Sequence, residues 1–144
     1  MAELFLAIWV IQLNKLNGGH IMALTLSLVF RVMGVFMGLW GVGMWLAPET
    51  LTGNWEWELT NEMSTMMQFM GTIMIFVGVI HWQMPTWAKD NLKTAGMTFA
   101  IIHTALLVLN IYELAVDNIP ANAMNIGGLI PAVILTGLFY LKSR

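Results

Sequence analysis

Four stretches of this chain, at about 22–46, 61–84, 93–114 and 125–141, are apolar over the length a helix needs to cross a bilayer. Roughly 20 apolar residues span the hydrocarbon core. Lipid offers backbone polar groups no partner, so open-ended spans of this kind are helical. The composition agrees: 58% of the 144 residues are hydrophobic and 10% charged, whereas a soluble domain carries about a quarter charged residues. The sequence therefore predicts an all-α polytopic membrane protein, a four-transmembrane-helix bundle with short loops and no separate soluble domain. Ala47-Pro48 and Pro85 follow the first two spans and read as helix stops. Pro131 lies inside the fourth span and predicts a kink there.

Ahead of these spans, residues 4–13 form a shorter apolar run. Ten helical residues reach roughly 15 Å, too little to cross. No basic region precedes the run, so it does not read as a signal peptide. One reading makes residues 1–20 a short interfacial helix anchored by Trp9, with 21–144 as the transmembrane domain. The other starts translation at Met22, because codons for Gly18-Gly19 can resemble a ribosome-binding site.

Charge orients the spans. Lys15, Lys89, Lys93, Lys142 and Arg144 fall on the side that holds both termini and the loop between the second and third spans. Glu49, Glu56, Glu58, Glu62, Glu113 and Asp117 fall on the other. Basic loops stay in the cytoplasm. This predicts a multi-pass protein of the cell inner membrane with both termini cytoplasmic. Trp45, Trp55 and Trp57 then mark the outer boundary, and Trp82 and Trp87 the inner one, as aromatic belts do.

Lipid gives helices no hydrophobic reason to associate, so small residues and polar bonds hold such bundles together. Gly34, Gly38 and Gly41 on the first span and Gly71 and Gly78 on the second are the expected packing positions. On the third span Gly96, Ala100, His103, Leu107 and Asn110 share one stripe.

Five polar side chains are candidate ligand-binding residues: Arg31, His103, His81, Gln68 and Asn110. An arginine at the centre of a span costs about 2.5–3.5 kcal/mol on insertion scales, and no carboxylate lies at the depth of Arg31. Its side chain either snorkels to the cytoplasmic boundary or turns inward to a ligand; its place beside the glycine stripe argues for inward. The five could form a sparse polar line for a quinone, a lipid headgroup or a proton. The plainer reading, except for Arg31, is interhelical hydrogen bonding. Bis-histidine haem ligation by His81 and His103 is disfavoured, because their distances from the cytoplasmic helix ends differ by roughly 8 Å at helical rise.

Methionine is abundant, 13 in all. Met63, Met66, Met67, Met70 and Met74 crowd the second span at helical-neighbour spacings. Thioethers suit Cu(I), but methionine is also an adaptable packing residue, and that reading is preferred. The outer acids match no calcium-loop motif. Cysteine is absent, which removes disulfides and thiolate chemistry. No phosphate loop, triad or zinc-helix signature is present, no motif specifies a cofactor, and the basic residues are too few and scattered for nucleic acid.

Arg31 followed by Gly34, Gly38 and Gly41, Pro48 past the first span, Gly71 and Gly78 in the second, and His103 in the third resemble the DoxX-like group of small four-helix bacterial membrane proteins. The resemblance spans about 23–140 and implies a four-helix bundle; some members of the group are linked to quinone-dependent redox systems. The residues themselves favour an integral membrane protein without a catalytic site, an accessory or assembly subunit with a protein partner or a homo-oligomeric state. Two alternatives stand beside it. One is a quinone- or lipid-binding redox-linked protein using Arg31 and His103. The other is ion or Cu(I) transport by an oligomer.

Overall fold

The computed structural model describes residues 24–144; the proposed interfacial helix and the question of a start at Met22 lie outside them. The described residues are all-helical. In order they form α1 (Leu26–Leu46), α2 (Pro48–Asn54), α3 (Asn61–Ala88), a 3-10 turn (Lys89–Asn91), α4 (Leu92–Ala115) and α5 (Ala123–Ser143). Three helical stretches, Leu26–Leu46, Asn61–Ala115 and Ala123–Ser143, are long and apolar enough to cross a membrane. The middle one reverses at Lys89, whose φ of 45° breaks the helical path.

Side chains fix most helix starts. Thr25 accepts from the N–H of Leu28, Thr60 from Met63, and Asn122 from both Met124 and Asn125, the expected use of a hydroxyl or amide at an N-cap. Pro48 opens α2 at a position where its missing N–H costs nothing. The second apolar stretch does not end before Pro85 as expected. α3 runs through it to Ala88, because a proline in a last turn deprives one carbonyl of its partner without blocking the few residues beyond. Pro131 likewise sits inside a continuous α5.

α1 lies centrally and packs most extensively on α3, while α4 packs on α5. The α1–α3 contact is backbone on backbone. A Cβ on Gly34 would stand 2.7 Å from the Gly78 carbonyl, and one on Gly78 would stand 2.7 Å from the Gly34 carbonyl. Gly41 and Gly71 repeat the arrangement two turns further on. Gly38 has open space at its own Cβ position, yet its backbone N lies 3.0 Å from a Cβ on Gly78. Small residues let transmembrane helices approach this closely.

The hydrophobic core is small and sits toward one end: Leu26, Val29, Phe30, Met33, Ala100, Leu135 and Phe139. Many large apolar side chains face outward, among them Leu39, Leu46, Phe69, Phe76 and Leu141, each more than 60% exposed. An apolar exterior around a modest core suits a lipid solvent, since soluble proteins rarely expose patches of this extent.

The two ends differ in charge. Lys93 Nζ donates to the Arg144 carbonyl at 2.8 Å, which brings the C-terminus beside the α3–α4 turn. Lys89, Lys93, Lys142 and Arg144 therefore share one end. At the other, Trp57 Nε1 donates to the Asn118 carbonyl, and Asn122 and Asn125 donate to the Asn54 carbonyl. Those bonds join the α1–α3 connection, with Glu49, Glu56 and Glu58, to the α4–α5 connection, with Asp117.

Candidate functional site

His81 and His103 meet inside the basic half of the bundle. Their Nε2 atoms are 3.0 Å apart. His81 is fully buried and His103 nearly so. The ring centroids are 5.1 Å apart, farther than the nitrogens, so each ring lies behind its own Nε2 and the two nitrogens face each other.

Hydrogen bonding assigns the proton. His81 Nδ1 lies 2.8 Å from the Val77 carbonyl, which can only accept. Nδ1 of His81 therefore carries a hydrogen, and in the neutral ring its Nε2 is an acceptor. His103 Nε2–H donates to it. Three phenylalanines enclose the pair. Phe99 stands 4.4 Å from the His81 ring centroid, Phe139 5.7 Å from that of His103, and Phe30 6.1 Å from that of His81. α1, α3, α4 and α5 thus all contribute a ring.

The sequence reading set the two histidines too far apart in depth, and the structure corrects it. Counting from helix ends ignores the direction of side chains. Each Cα–Cβ bond leans toward its own helix N-terminus. α3 and α4 are antiparallel, so His81 leans toward the acidic end and His103 toward the basic end, and the rings close the gap from both sides. This contact is the one functional feature that residue spacing missed; the signal that could have found it is the opposite lean of side chains on neighbouring antiparallel helices.

Arg31 does not point into the bundle. It is exposed, with its guanidinium 5.6 Å from the Trp82 ring centroid. The expectation of an inward arginine is corrected by helix geometry. At about 100° per residue, Arg31 stands roughly 60° off Gly34, at the edge of the stripe rather than within it. From there a long side chain reaches over the surface of α3. The Gly34–Gly78 register puts Arg31 level with His81, but on the outside.

Gln68 and Asn110 are also exposed. Asn110 Nδ2 bonds only the Leu106 carbonyl of its own helix. The five polar candidates thus do not form one line; the structure brings His81 and His103 together and leaves Arg31, Gln68 and Asn110 outside. The α4 stripe shows why. Gly96, Ala100 and His103 are buried, Leu107 is half-buried and Asn110 is exposed. Beyond His103 the stripe loses cover as far as Asn110 before Leu114 is half-buried again, and the contact of α4 with α3, the preceding helix, is sparse.

The methionines of α3 differ in exposure. Met66 and Met70 are exposed while Met67 is buried. At about 100° per residue all five thioethers fall within a roughly 100° arc of α3, which runs from the buried Met67 to the exposed Met66. Among the described residues, no three His, Asp or Glu side chains gather as a metal cluster. At the acidic end, Trp55, Trp57, Glu56, Asp117 and Asn118 line a shallow, open cleft.

Neither protein-family models, nor curated proteins, nor solved structures match this chain.

Proposed function

We propose that this chain is an inner-membrane protein that crosses the bilayer four times and acts as an accessory subunit, bound through the acidic-end half of α4 to a transmembrane helix of a partner. α3 and α4 support separate crossings, because at about 1.5 Å per residue each exceeds the roughly 30 Å hydrocarbon core. The segregation of Lys89, Lys93, Lys142 and Arg144 from Glu49, Glu56, Glu58 and Asp117 supports cytoplasmic termini. The glycine contacts of α1 and α3 are in keeping with the DoxX-like resemblance, which we carry as part of the same proposal.

The observation that carries the partner is Asn110. Asn110 lies five residues, about 8 Å at helical rise, inside the acidic end of α4, flanked by the exposed Leu106, Leu109 and Ile111, where the surroundings are apolar. A carboxamide there keeps one N–H and its oxygen without a protein partner among the described residues. Asparagine at such depth is a common interhelical hydrogen-bonding group. A helix that offers a hydroxyl or amide at that level would satisfy Asn110 and cover the exposed Leu106, Leu109 and Ile111.

Native mass measurement after solubilisation in mild detergent tests this reading. The wild type should carry added mass, from another protein or a second copy, and Asn110→Leu should weaken that association. A lone monomer for the wild type would refute it. The histidine pair favours a second reading, in which the bundle holds a small redox-linked ligand; with Arg31 outside, that centre would rest on His81 and His103.

A further inference from the structure

We propose that His81 and His103 form a two-coordinate site for a soft monovalent metal ion, Cu(I) being the biological one. Four features of the pair point to it, and none depends on the partner proposed above.

The first is convergence. Two Nε2 atoms from different helices face each other across 3.0 Å with their rings behind them. An ion on that axis would meet one lone pair from each side. The second is the outer support of His81, whose Nδ1–H is held by the Val77 carbonyl at 2.8 Å. Metal-binding histidines almost always donate their other ring N–H to such a group, which fixes the tautomer and aims the ligating nitrogen.

The third is the number and charge of the ligands. Among the described residues no carboxylate reaches the site, and no third ligand of the His, Asp or Glu type joins it. Phe30, Phe99 and Phe139 exclude water. Two neutral imidazoles leave the full charge of the ion uncompensated in an apolar shell, and the cost of burying a charge rises with its square. That selects a monovalent ion over Zn(II) or Cu(II). Imidazole is a good copper ligand, and d10 Cu(I) accepts linear two-fold coordination.

The fourth is room to adjust. Metal–imidazole bonds of about 2 Å require the nitrogens to stand roughly 4 Å apart, about 1 Å more than in the hydrogen-bonded pair. α4 begins to lose cover just beyond His103, where Leu107 is half-buried and Leu106 exposed. α3 and α4 touch each other sparsely, so a separation of about 1 Å between them disturbs little packing. The proton balance closes within the pair: the hydrogen on His103 Nε2 moves to its Nδ1, and both rings stay neutral.

The test uses the full chain in nanodiscs under anaerobic, reducing conditions. Cu(I) is offered in competition with a chromophoric Cu(I) chelator, and Ag(I) serves as a second, redox-inert probe. The wild type should withdraw one equivalent, and X-ray absorption should report two nitrogen neighbours and no sulfur. His81→Ala and His103→Ala should each weaken retention by at least about tenfold, the lower range seen even for loss of a metal ligand's supporting partner. Met66→Leu with Met70→Leu should leave retention unchanged. Absence of withdrawal by the wild type, sulfur coordination, or unchanged retention by a folded histidine variant would each overturn the proposal. Should the histidine variants fail to fold, nitrogen or sulfur coordination in the wild type still decides.

Discussion

The carbonyl oxygen of Gly41 lies 2.6 Å from the point a Cβ on Gly71 would occupy, and the Gly71 carbonyl lies 2.5 Å from that of a Cβ on Gly41. Neither helix can accept even a methyl group there, because what stands in the way is backbone. Gly41→Ala should therefore force α1 and α3 apart and destabilise the bundle by about 1–3 kcal/mol, the range for overpacking a well-fitted contact. Gly38→Ala is the matched control. Its Cβ would enter open space, so its effect should stay within about 0.5 kcal/mol. Equilibrium unfolding of both variants in mixed micelles measures the difference; equal losses would mean that the two helices are not in contact at Gly41.

Ser143 gives a prediction of opposite sign. Its hydroxyl is buried against Gly96 and has no hydrogen-bond partner among the described residues. A buried unsatisfied hydroxyl costs about 1–3 kcal/mol relative to one that is paired or removed. Ser143→Ala should raise stability by about 1 kcal/mol. The same unfolding measurement checks it, and a loss of stability would show that the hydroxyl is satisfied in the membrane.

The basic and acidic ends make the orientation testable without purification. A reporter enzyme that is active only outside the cytoplasm, fused after Arg144, should be inactive. Inserted between Glu56 and Thr60, in the connection that carries Glu58, it should be active. The reverse pattern would invert the protein in the membrane. Converting Lys89 and Lys93 together to Gln should raise the fraction of misoriented chains, because short loops are retained by their basic residues.

Sequence and structure agree where a single helix decides the outcome. Apolar length revealed helices long enough to cross, and the basic residues Lys89, Lys93, Lys142 and Arg144 marked one end. Agreement fails where position depends on how two helices lie against each other. His81 and His103 looked out of register because residue counting places backbones, while the contact is made by side chains that lean in opposite directions. Asn110 shares a stripe with His103 and so looked equally enclosed. Whether a stripe is covered along its whole length depends on the tilt of α4, which apolar periodicity does not encode.

Arg31 provides the sharpest separation of two roles. A guanidinium stacked on the exposed face of Trp82 contributes about 0.5–1 kcal/mol. An arginine inside the bundle that held an anionic partner would cost about 3–5 kcal/mol to remove, since its partner would be left buried and unpaired. Arg31→Ala should therefore lower stability by no more than about 1 kcal/mol. It should also leave the imidazole resonances of His81 and His103 in place, because the guanidinium lies outside the ring of phenylalanines that encloses them. Trp82→Leu should cost about as much as Arg31→Ala, and the double variant little more than either alone, as for two halves of one contact. A loss of several kcal/mol on Arg31→Ala would return the arginine to the interior as a ligand-holding residue, and additive losses in the double variant would show that Arg31 and Trp82 do not interact.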